Sequence, residues 1–247
     1  MSEHIHVFVR HCNTSSNSVN KIRPPWFSRP KCLQNLLATK DEHVSVTILM
    51  DGDNETHFTS QFSGLKIVPV KGGCDASSFR ALIHHVFQGY LGDDAIIYLL
   101  EDDYVHRPGW PTAMREIFAS NKANYVTLYD HSDKYTLPVY NDLASRMLVT
   151  KSGHWRTTPS TTNTYAARLG TLRKHKDVHI EYSVLEQKFT FDDLKFRHLQ
   201  ERLGAVLVSS VPGFSAHCET AYLSPVIDWE NVMNETTAGL PVIQDGP

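Results

Sequence analysis

The sequence lacks the features of several large protein classes. Among its 247 residues are only four cysteines, Cys12, Cys32, Cys74 and Cys218, and none belongs to a CxxC pair, which argues against a thiolate zinc site or a redox couple. No apolar run approaches the ~20 residues that a membrane span needs. The 24 lysines and arginines form no basic block and are balanced by 27 acidic residues, so nucleic acid is not an expected partner.

The beginning of the chain also lacks a leader signature. Ser2, Glu3 and His4 lead straight into a strand-like run, without the basic start and apolar core of a signal peptide. With 41% hydrophobic and 21% charged residues, the composition is that of an ordinary globular protein. We therefore expect a cytoplasmic protein with one α/β domain over residues 1–233 and a flexible tail over 234–247.

The pattern of apolar residues predicts the order of the elements. Short β-rich runs alternate with amphipathic segments in the first half, which favours a mostly parallel central sheet flanked by helices. Strands are predicted over 5–9, 44–50, 65–70, 95–100 and 125–129, and helices over 30–37, 76–88 and 111–120. The second half predicts a strand over 148–150, a polar loop over 151–164, a helix over 191–203 and a strand over 205–209.

Three adjacent acidic residues, Glu101, Asp102 and Asp103, follow the apolar run 96–100. Such a run suits a strand buried on both faces, and ligands of open parallel sheets bind beyond the carboxyl ends of the strands. Adjacent carboxylates repel one another unless a cation neutralises them, and hard oxygen donors suit Mg²⁺ or Mn²⁺. The alternative is a solvated strand end, or a cap for the helix that follows.

This segment resembles the D-x-D signature of GT-A glycosyltransferases, here in an E-D-D form. The resemblance covers roughly residues 4–225 and implies a GT-A fold, a nucleotide-sugar donor such as a UDP-sugar, a glycan acceptor, and Mn²⁺ or Mg²⁺. It implies that Asp103 binds the metal while Glu101 and Asp102 contact the donor. His217 resembles the family's late histidine, which completes the metal site; with fourteen histidines in the chain, a packed or surface role is the alternative.

Further donor contacts are implied at the ends of the predicted strands. The candidates are Arg10, Cys12, Asn13, Thr14, Asp51, Asp53, Gly72, Gly73, Ser78 and Arg80. The segments 13–16 and 51–53 also suit plain polar turns. The glycine turn at 72–73 is not a P-loop, because no G-K-[ST] triplet follows it.

The start of the late helix supplies a candidate general base. In inverting GT-A enzymes an acid near this place commonly takes the proton of the acceptor hydroxyl, and Asp193 is the first choice here, with Asp192 second. Thr190 and Asp193 also resemble a helix cap, which is the structural alternative. Acceptor contacts are expected from 129–133 and 154–156, where Trp155 either stacks on a sugar or serves as a buried anchor.

Two other functions remain open at this point. A sugar nucleotidyltransferase is disfavoured, because that family has a long glycine-rich loop after the first strand and this chain has no glycine before Gly52. A carbohydrate-binding module without catalysis is the second alternative. The segments 10–13 and 23–27 are also similar to the N-terminal domain of a chlorovirus multidomain glycosyltransferase, which implies UDP-L-rhamnose as a donor.

Overall fold

The computed structural model describes residues 3–12, 20–52 and 58–243, and all structural statements refer to these residues. The strands are β1 (Ile5–Cys12), β2 (Val44–Asp51), β3 (Lys66–Val70), β4 (Ile96–Glu101), β5 (Tyr104–His106), β6 (Tyr125–Thr127), β7 (Met147–Thr150), β8 (Gly153–Thr157), β9 (Tyr165–Arg168), β10 (Ser183–Val184), β11 (Phe189–Thr190), β12 (Leu207–Val211) and β13 (Ser215–His217). The helices are α1 (Arg29–Thr39), α2 (Asp75–Gln88), α3 (Trp110–Ala119), α4 (Asp133–Thr136), α5 (Leu169–Lys174), α6 (Lys176–Glu181), α7 (Asp192–Glu201) and α8 (Trp229–Thr237).

A nine-stranded sheet in the order β3-β2-β1-β4-β9-β6-β12-β8-β7 forms the centre of the described chain. Strands β3, β2, β1 and β4 run parallel to one another, and β9 and β8 are the two that run against the rest. The sheet is therefore mostly parallel, as the alternating pattern predicts. Two small antiparallel pairs, β10-β11 and β13-β5, lie beside it.

Strand β4 shows why its sequence is apolar throughout. Tyr98 and Leu100 point into the cluster formed with α1 and α3, while Ile97 and Leu99 point into the cluster formed with α2 and α7. Because successive side chains alternate between the faces, a strand covered on both sides needs a continuous apolar run. That burial places Glu101 and the two acids after it at the edge of the sheet.

The predicted elements of the first half are confirmed to within a few residues at each end. The polar loop predicted over 151–164 is wrong in its first part, because Gly153–Thr157 forms β8 between β7 and β12. Trp155 is 1% exposed and its Nε1 donates to Thr150 Oγ1 at 3.2 Å. The buried-anchor alternative for Trp155 is thus confirmed. The strand was not predicted because the residues beside Trp155 are polar, so the sequence lacks the apolar–polar alternation of a strand.

The last helix, α8, continues past residue 233, the domain boundary expected from the sequence. Met233 is buried with Trp229 and Trp26 in a third apolar cluster, and the side chain of Gln34 donates to the carbonyl of Pro241 at 2.7 Å. The chain therefore stays packed against the domain beyond that boundary. In the described ranges, every helix is too short or too polar to cross a bilayer.

Candidate active site

An open crevice of about 740 Å³ lies beyond the carboxyl ends of β1, β2 and β4. Its volume is within the range of sites for small ligands, and its position is the usual ligand site of open parallel sheets. Its walls are polar, with carboxylates, cations and hydroxyls from distant parts of the chain. They include Arg10, Cys12, Lys21, Asp51, Gly73, Asp75, Ser78, Glu101, Asp102, Asp103, Asn163, Phe189, Thr190, Asp192 and His217.

Arg10, at the end of β1, ties three elements together on the floor of the crevice. Its guanidinium donates to Glu101 Oε1 at 2.5 Å and to Asp75 Oδ1 at 2.6 Å, and it reaches Ser78 Oγ at 3.0 Å. Burial opposes ionisation of Asp75, but the contact with Arg10 outweighs it and lowers the pKa of this carboxyl. Burial raises the pKa of Glu101, and Arg10 offsets this only in part. One buried cation thus neutralises the first acid of the E-D-D motif.

The second acid of the motif has a different set of partners. Asp102 Oδ2 lies 2.5 Å from His11 Nδ1 and 3.2 Å from Arg29 Nε. His11 in turn meets Phe58 edge to face, with ring centroids 5.2 Å apart. Asp102 therefore faces the side of the crevice where α1 and β1 meet.

The third acid, Asp103, is 3% exposed and lies against His217. Strand β13 pairs with β5 so that His217 is opposite Tyr104, which brings His217 Nε2 to 2.9 Å from Asp103 Oδ2. Arg23 Nη2 and Lys21 Nζ reach the same oxygen at 2.8 and 3.3 Å. Burial opposes ionisation, but the contact with His217 and the two cations hold the pKa of Asp103 well below its usual range.

Asp103 Oδ1 is buried and has no hydrogen-bond partner among the residues that the structure describes. A buried carboxylate oxygen without a partner is costly, so this atom is suited to an additional donor or cation. The described residues contain no group of three or more His, Cys, Asp or Glu side chains arranged to hold a metal ion. Among the described residues, the carboxylate of Asp103 and the imidazole of His217 meet at this place.

Asp192, in the first turn of α7, lies on the opposite wall. Its Oδ1 is 3.0 Å from the ammonium of Lys195, which is fully buried and also donates to Asn163 Oδ1 at 2.8 Å. Burial raises the pKa of Asp192 to about 7, although Lys195 opposes the change. The same burial lowers the pKa of Lys195.

The glycine turn closes the crevice at the end of β2. The amides of Gly72 and Gly73 donate to the two oxygens of Asp51 at 3.0 and 2.6 Å. A Cβ on Gly72 would stand 2.8 Å from Ser78 Cβ, so only glycine allows this close approach. The Asp51 carboxylate therefore binds the backbone of the glycine turn, which agrees with the turn alternative for segment 51–53.

Of the sequence-predicted site residues that the structure describes, all but two are brought together at the crevice. Asp193 lies on the outer face of α7, half exposed and paired with Arg197. Arg80 donates to the carbonyls of Ser183 and Ile180, on the side of α2 away from the crevice. Asn13, Thr14 and Asp53 lie outside the described residues.

The cap expected at the start of α7 is wrong. Thr190 belongs to β11, and its amide donates to Asp75 Oδ2 at 2.7 Å and not to the carboxylate of Asp193. The helix begins one position later, after Phe191, without a side-chain cap. The resemblance of Thr190 and Asp193 to a cap came from spacing alone, and the tertiary contact with α2 takes precedence.

Sequence reasoning missed several residues that line the crevice or contact its lining residues. They are Lys21, Arg23, Asp75, Asn163 and Lys195. Each forms its contact across the fold with a residue far away in sequence, apart from the pair Lys195 and Asp192, which are one helical turn apart. Only that pair had a signal in the sequence.

Comparison with known proteins identifies the type of fold. Neither a family model nor a curated protein matches the sequence. Among solved structures, Staphylococcus aureus TarS, residues 1–349, matches with a TM-score of 0.53 at 11% identity, covering 86% of this chain and 59% of that one. The chain has a GT-A fold.

Two further solved structures overlap less closely. The galactosyltransferase LgtC, in complex with donor and acceptor sugar analogues, has a TM-score of 0.49 at 10% identity and covers 97% of both chains. A CMP-2-keto-3-deoxy-manno-octonic acid synthetase complexed with CTP has a TM-score of 0.49 at 14% identity, covering 85% of this chain and 92% of that one.

Proposed function

We propose that this chain is a glycosyltransferase that moves a sugar from a nucleoside diphosphate donor, a UDP-sugar, to a glycan hydroxyl. The observation that carries the proposal is the pairing of Asp103 with His217 in the crevice, 2.9 Å between Oδ2 and Nε2. The GT-A fold supports it, because its crevice lies where open parallel sheets bind nucleotides. UDP-L-rhamnose is the first donor to test, on the likeness of segments 10–13 and 23–27 to a rhamnosyltransferase domain.

The residues present suit a divalent cation, and we propose Mn²⁺ or Mg²⁺ held by Asp103 and His217. Such ions are commonly bound through one or two protein ligands together with substrate phosphates. Asp103 and His217 meet at 2.9 Å in the crevice, so a carboxylate and an imidazole, both of which suit such ions, would be together to hold one there. The unpartnered Oδ1 of Asp103 supports the same assignment. When bound, the ion supplies Lewis-acid stabilisation of the departing diphosphate.

In the proposed reaction, the anomeric carbon of the donor sugar exchanges its bond to the diphosphate oxygen for a bond to the acceptor oxygen. The acceptor hydroxyl loses a proton, and Asp192 is the group on the crevice wall that would accept it. A carboxylate with a pKa of about 7 is matched to proton transfer near neutral pH. Asp192 therefore replaces Asp193 as the first choice for the base.

The environment of Asp192 explains how it keeps that role. Lys195 faces it from the same helix, while Asp75 and Glu101 face it from α2 and β4. The two acids and burial favour the neutral form, and the Lys195 ammonium opposes them. Lys195 also holds the carboxylate in place, since its own position is set by Asn163.

Release of UDP from a panel of UDP-sugars, with Mn²⁺ and with a chelator, tests the activity. We expect metal-dependent release with at least one donor, and Asp103→Asn should abolish that release while the melting temperature shows a folded protein. Release that is unaffected by Asp103→Asn would refute the assignment. Glycan binding without any turnover would support a carbohydrate-binding module instead, and formation of pyrophosphate from a nucleoside triphosphate and a sugar would support a nucleotidyltransferase.

The pair Asp192→Asn and Asp193→Asn tests the base directly. Loss of a general base typically lowers turnover by about 10²–10⁴-fold, and we expect this for Asp192→Asn alone. The wild-type rate should fall as the pH drops below about 7, where Asp192 becomes protonated, and the variant should lose that limb. A loss of turnover in Asp193→Asn, with Asp192→Asn unaffected, would return the role to Asp193.

A further inference from the structure

The two-stranded pair β10-β11 packs against α2 and leads directly into α7. Phe191, just after β11, donates its amide to the carbonyl of Tyr182, just before β10, at 2.9 Å. Positions that exchange backbone bonds alternate along antiparallel strands with positions that do not, so the next pair, Ser183 and Thr190, turns its amides and carbonyls away from the partner strand. The Thr190 amide is therefore available to a group outside the pair.

Helix α2 supplies that group and holds both outer edges of the pair. Asp75, its first residue, accepts from the Thr190 amide at Oδ2, 2.7 Å away, and Arg80 donates to the carbonyl of Ser183 at 2.9 Å. The other oxygen of Asp75, Oδ1, accepts from Arg10 at 2.6 Å. One carboxylate, 14% exposed, thus joins β11 to the end of β1 on the floor of the crevice.

This contact takes the place of a cap at the start of α7. The helix begins at Asp192, two residues after Thr190, and Phe191 at the N-cap position forms no side-chain cap. Lys195 and its partner Asn163 fix the side chain of Asp192. The contact of Thr190 with Asp75, by contrast, fixes the backbone from which that side chain extends.

We propose that Asp75 is a positioning residue for the transfer step, since through the Thr190 amide it fixes the first turn of α7, and with it Asp192, against the floor of the crevice. The inference rests on the proposed function, because it takes Asp192 as the group that accepts the proton. A base acts only within hydrogen-bond distance of the reacting hydroxyl, and a displacement of about 1 Å can lower a rate by about 10²-fold. Because Arg10 binds Glu101 as well, one connected set of contacts holds the base and the first acid of the E-D-D motif.

Asp75→Asn and Thr190→Pro remove the contact in two different ways. In Asp75→Asn one acceptor oxygen remains for two donors, and the charged Arg10 takes precedence over the Thr190 amide. Thr190→Pro deletes the amide itself and leaves the ion pair of Asp75 with Arg10 in place. Proline is tolerated at this position because the amide faces away from the partner strand. Asp177→Asn, which changes an exposed acid in the first turn of α6, is the matched control.

UDP release from the donor that the panel identifies, with water as the acceptor, measures the effect on turnover. The rate is compared at about pH 8.5, where Asp192, with a pKa of about 7, is ionised. We expect kcat to fall about 10²-fold in both Asp75→Asn and Thr190→Pro, with KM for the donor nearly unchanged. In Asp177→Asn both constants should keep their wild-type values.

The pH profile separates the effect of position from the effect of charge. The charged and titratable groups that face Asp192 are Lys195 of α7, Asp75 of α2, Glu101 of β4, Arg10 of β1 and Tyr165 of β9. The Asp75 charge raises the pKa of Asp192, so Asp75→Asn should keep the acidic limb of the profile and move it to lower pH. Thr190→Pro keeps that charge, and its limb should stay at the wild-type pH.

The outcomes separate this inference from the proposed function. If the wild type turns over no donor, both fail. If Asp192→Asn is as fast as the wild type, the base role and this inference fall, while the transferase function stands. If Asp192→Asn is slow, but folded Asp75→Asn and Thr190→Pro keep the wild-type kcat at about pH 8.5, the role of Asp75 alone is overturned. Should Asp75→Asn fail to fold, Thr190→Pro decides, because it breaks no ion pair.

Discussion

Replacing Arg10 by methionine removes a buried cation that two carboxylates share. Asp75 and Glu101 lie 2.6 and 2.5 Å from the guanidinium and are 14% and 24% exposed, so neither can recover its hydration without local rearrangement. Breaking a buried ion pair by removing one partner costs about 3–5 kcal/mol. For a domain of this size each kcal/mol corresponds to roughly 2–4 °C, so we expect the melting temperature to fall by about 6–20 °C.

The pH dependence of this stability deficit of Arg10→Met identifies its cause. In the wild type the pKa of Asp75 is lowered, so its contribution to stability is present above the unfolded pKa of about 3.9 and is lost as the pH falls through the folded value. Without Arg10 that contribution disappears and burial raises the pKa. The deficit should therefore be largest near neutral pH and should shrink as the pH falls through the pKa values of the variant's two carboxyls, where Asp75 and Glu101 become protonated.

Urea unfolding at several pH values measures this deficit, and Arg197→Met is the matched control. Arg197 pairs with Asp193 at 3.1 Å, but both side chains are more than half exposed, so the loss should stay below about 1 kcal/mol. A deficit for Arg10→Met that is as small as that of the control, or that is the same at pH 3 and pH 7, would refute the reasoning.

Two further stability predictions follow from the packing. Asn35 binds the amide and the carbonyl of His106 at 2.6 and 2.8 Å, so Asn35→Ala leaves both groups buried without partners. At about 1–3 kcal/mol for each unsatisfied group, this substitution should lower the free energy of unfolding by roughly 2–6 kcal/mol in a urea titration. Gly72→Ala would place a Cβ 2.8 Å from Ser78 Cβ and should cost about 1–3 kcal/mol by the same assay, whereas Gly89→Ala, with its nearest neighbour at 3.5 Å, should be nearly neutral. Equal melting temperatures for the two alanine variants would contradict the close approach at Gly72.

The fold was largely predictable because its strands carry local patterns. The runs that became β1, β2 and β4 are apolar, flanked by turn residues and separated by segments with helical spacing, and such patterns depend only on neighbours in the chain. The loop predicted over 151–164 failed because Trp155 is the one large apolar residue of β8, too few to show a strand's alternation.

The sequence by itself determined that three acids stand at the end of a buried strand, with His217 after a late strand and two acids at the start of a helix. Only the tertiary structure decided which groups meet. Sheet order brings Arg10 to Asp75 across 65 positions and Lys21 to His217 across 196, and no local pattern encodes such pairs. The rotation of α7 likewise turned Asp192 into the crevice and Asp193 towards solvent, because adjacent residues of a helix point in different directions.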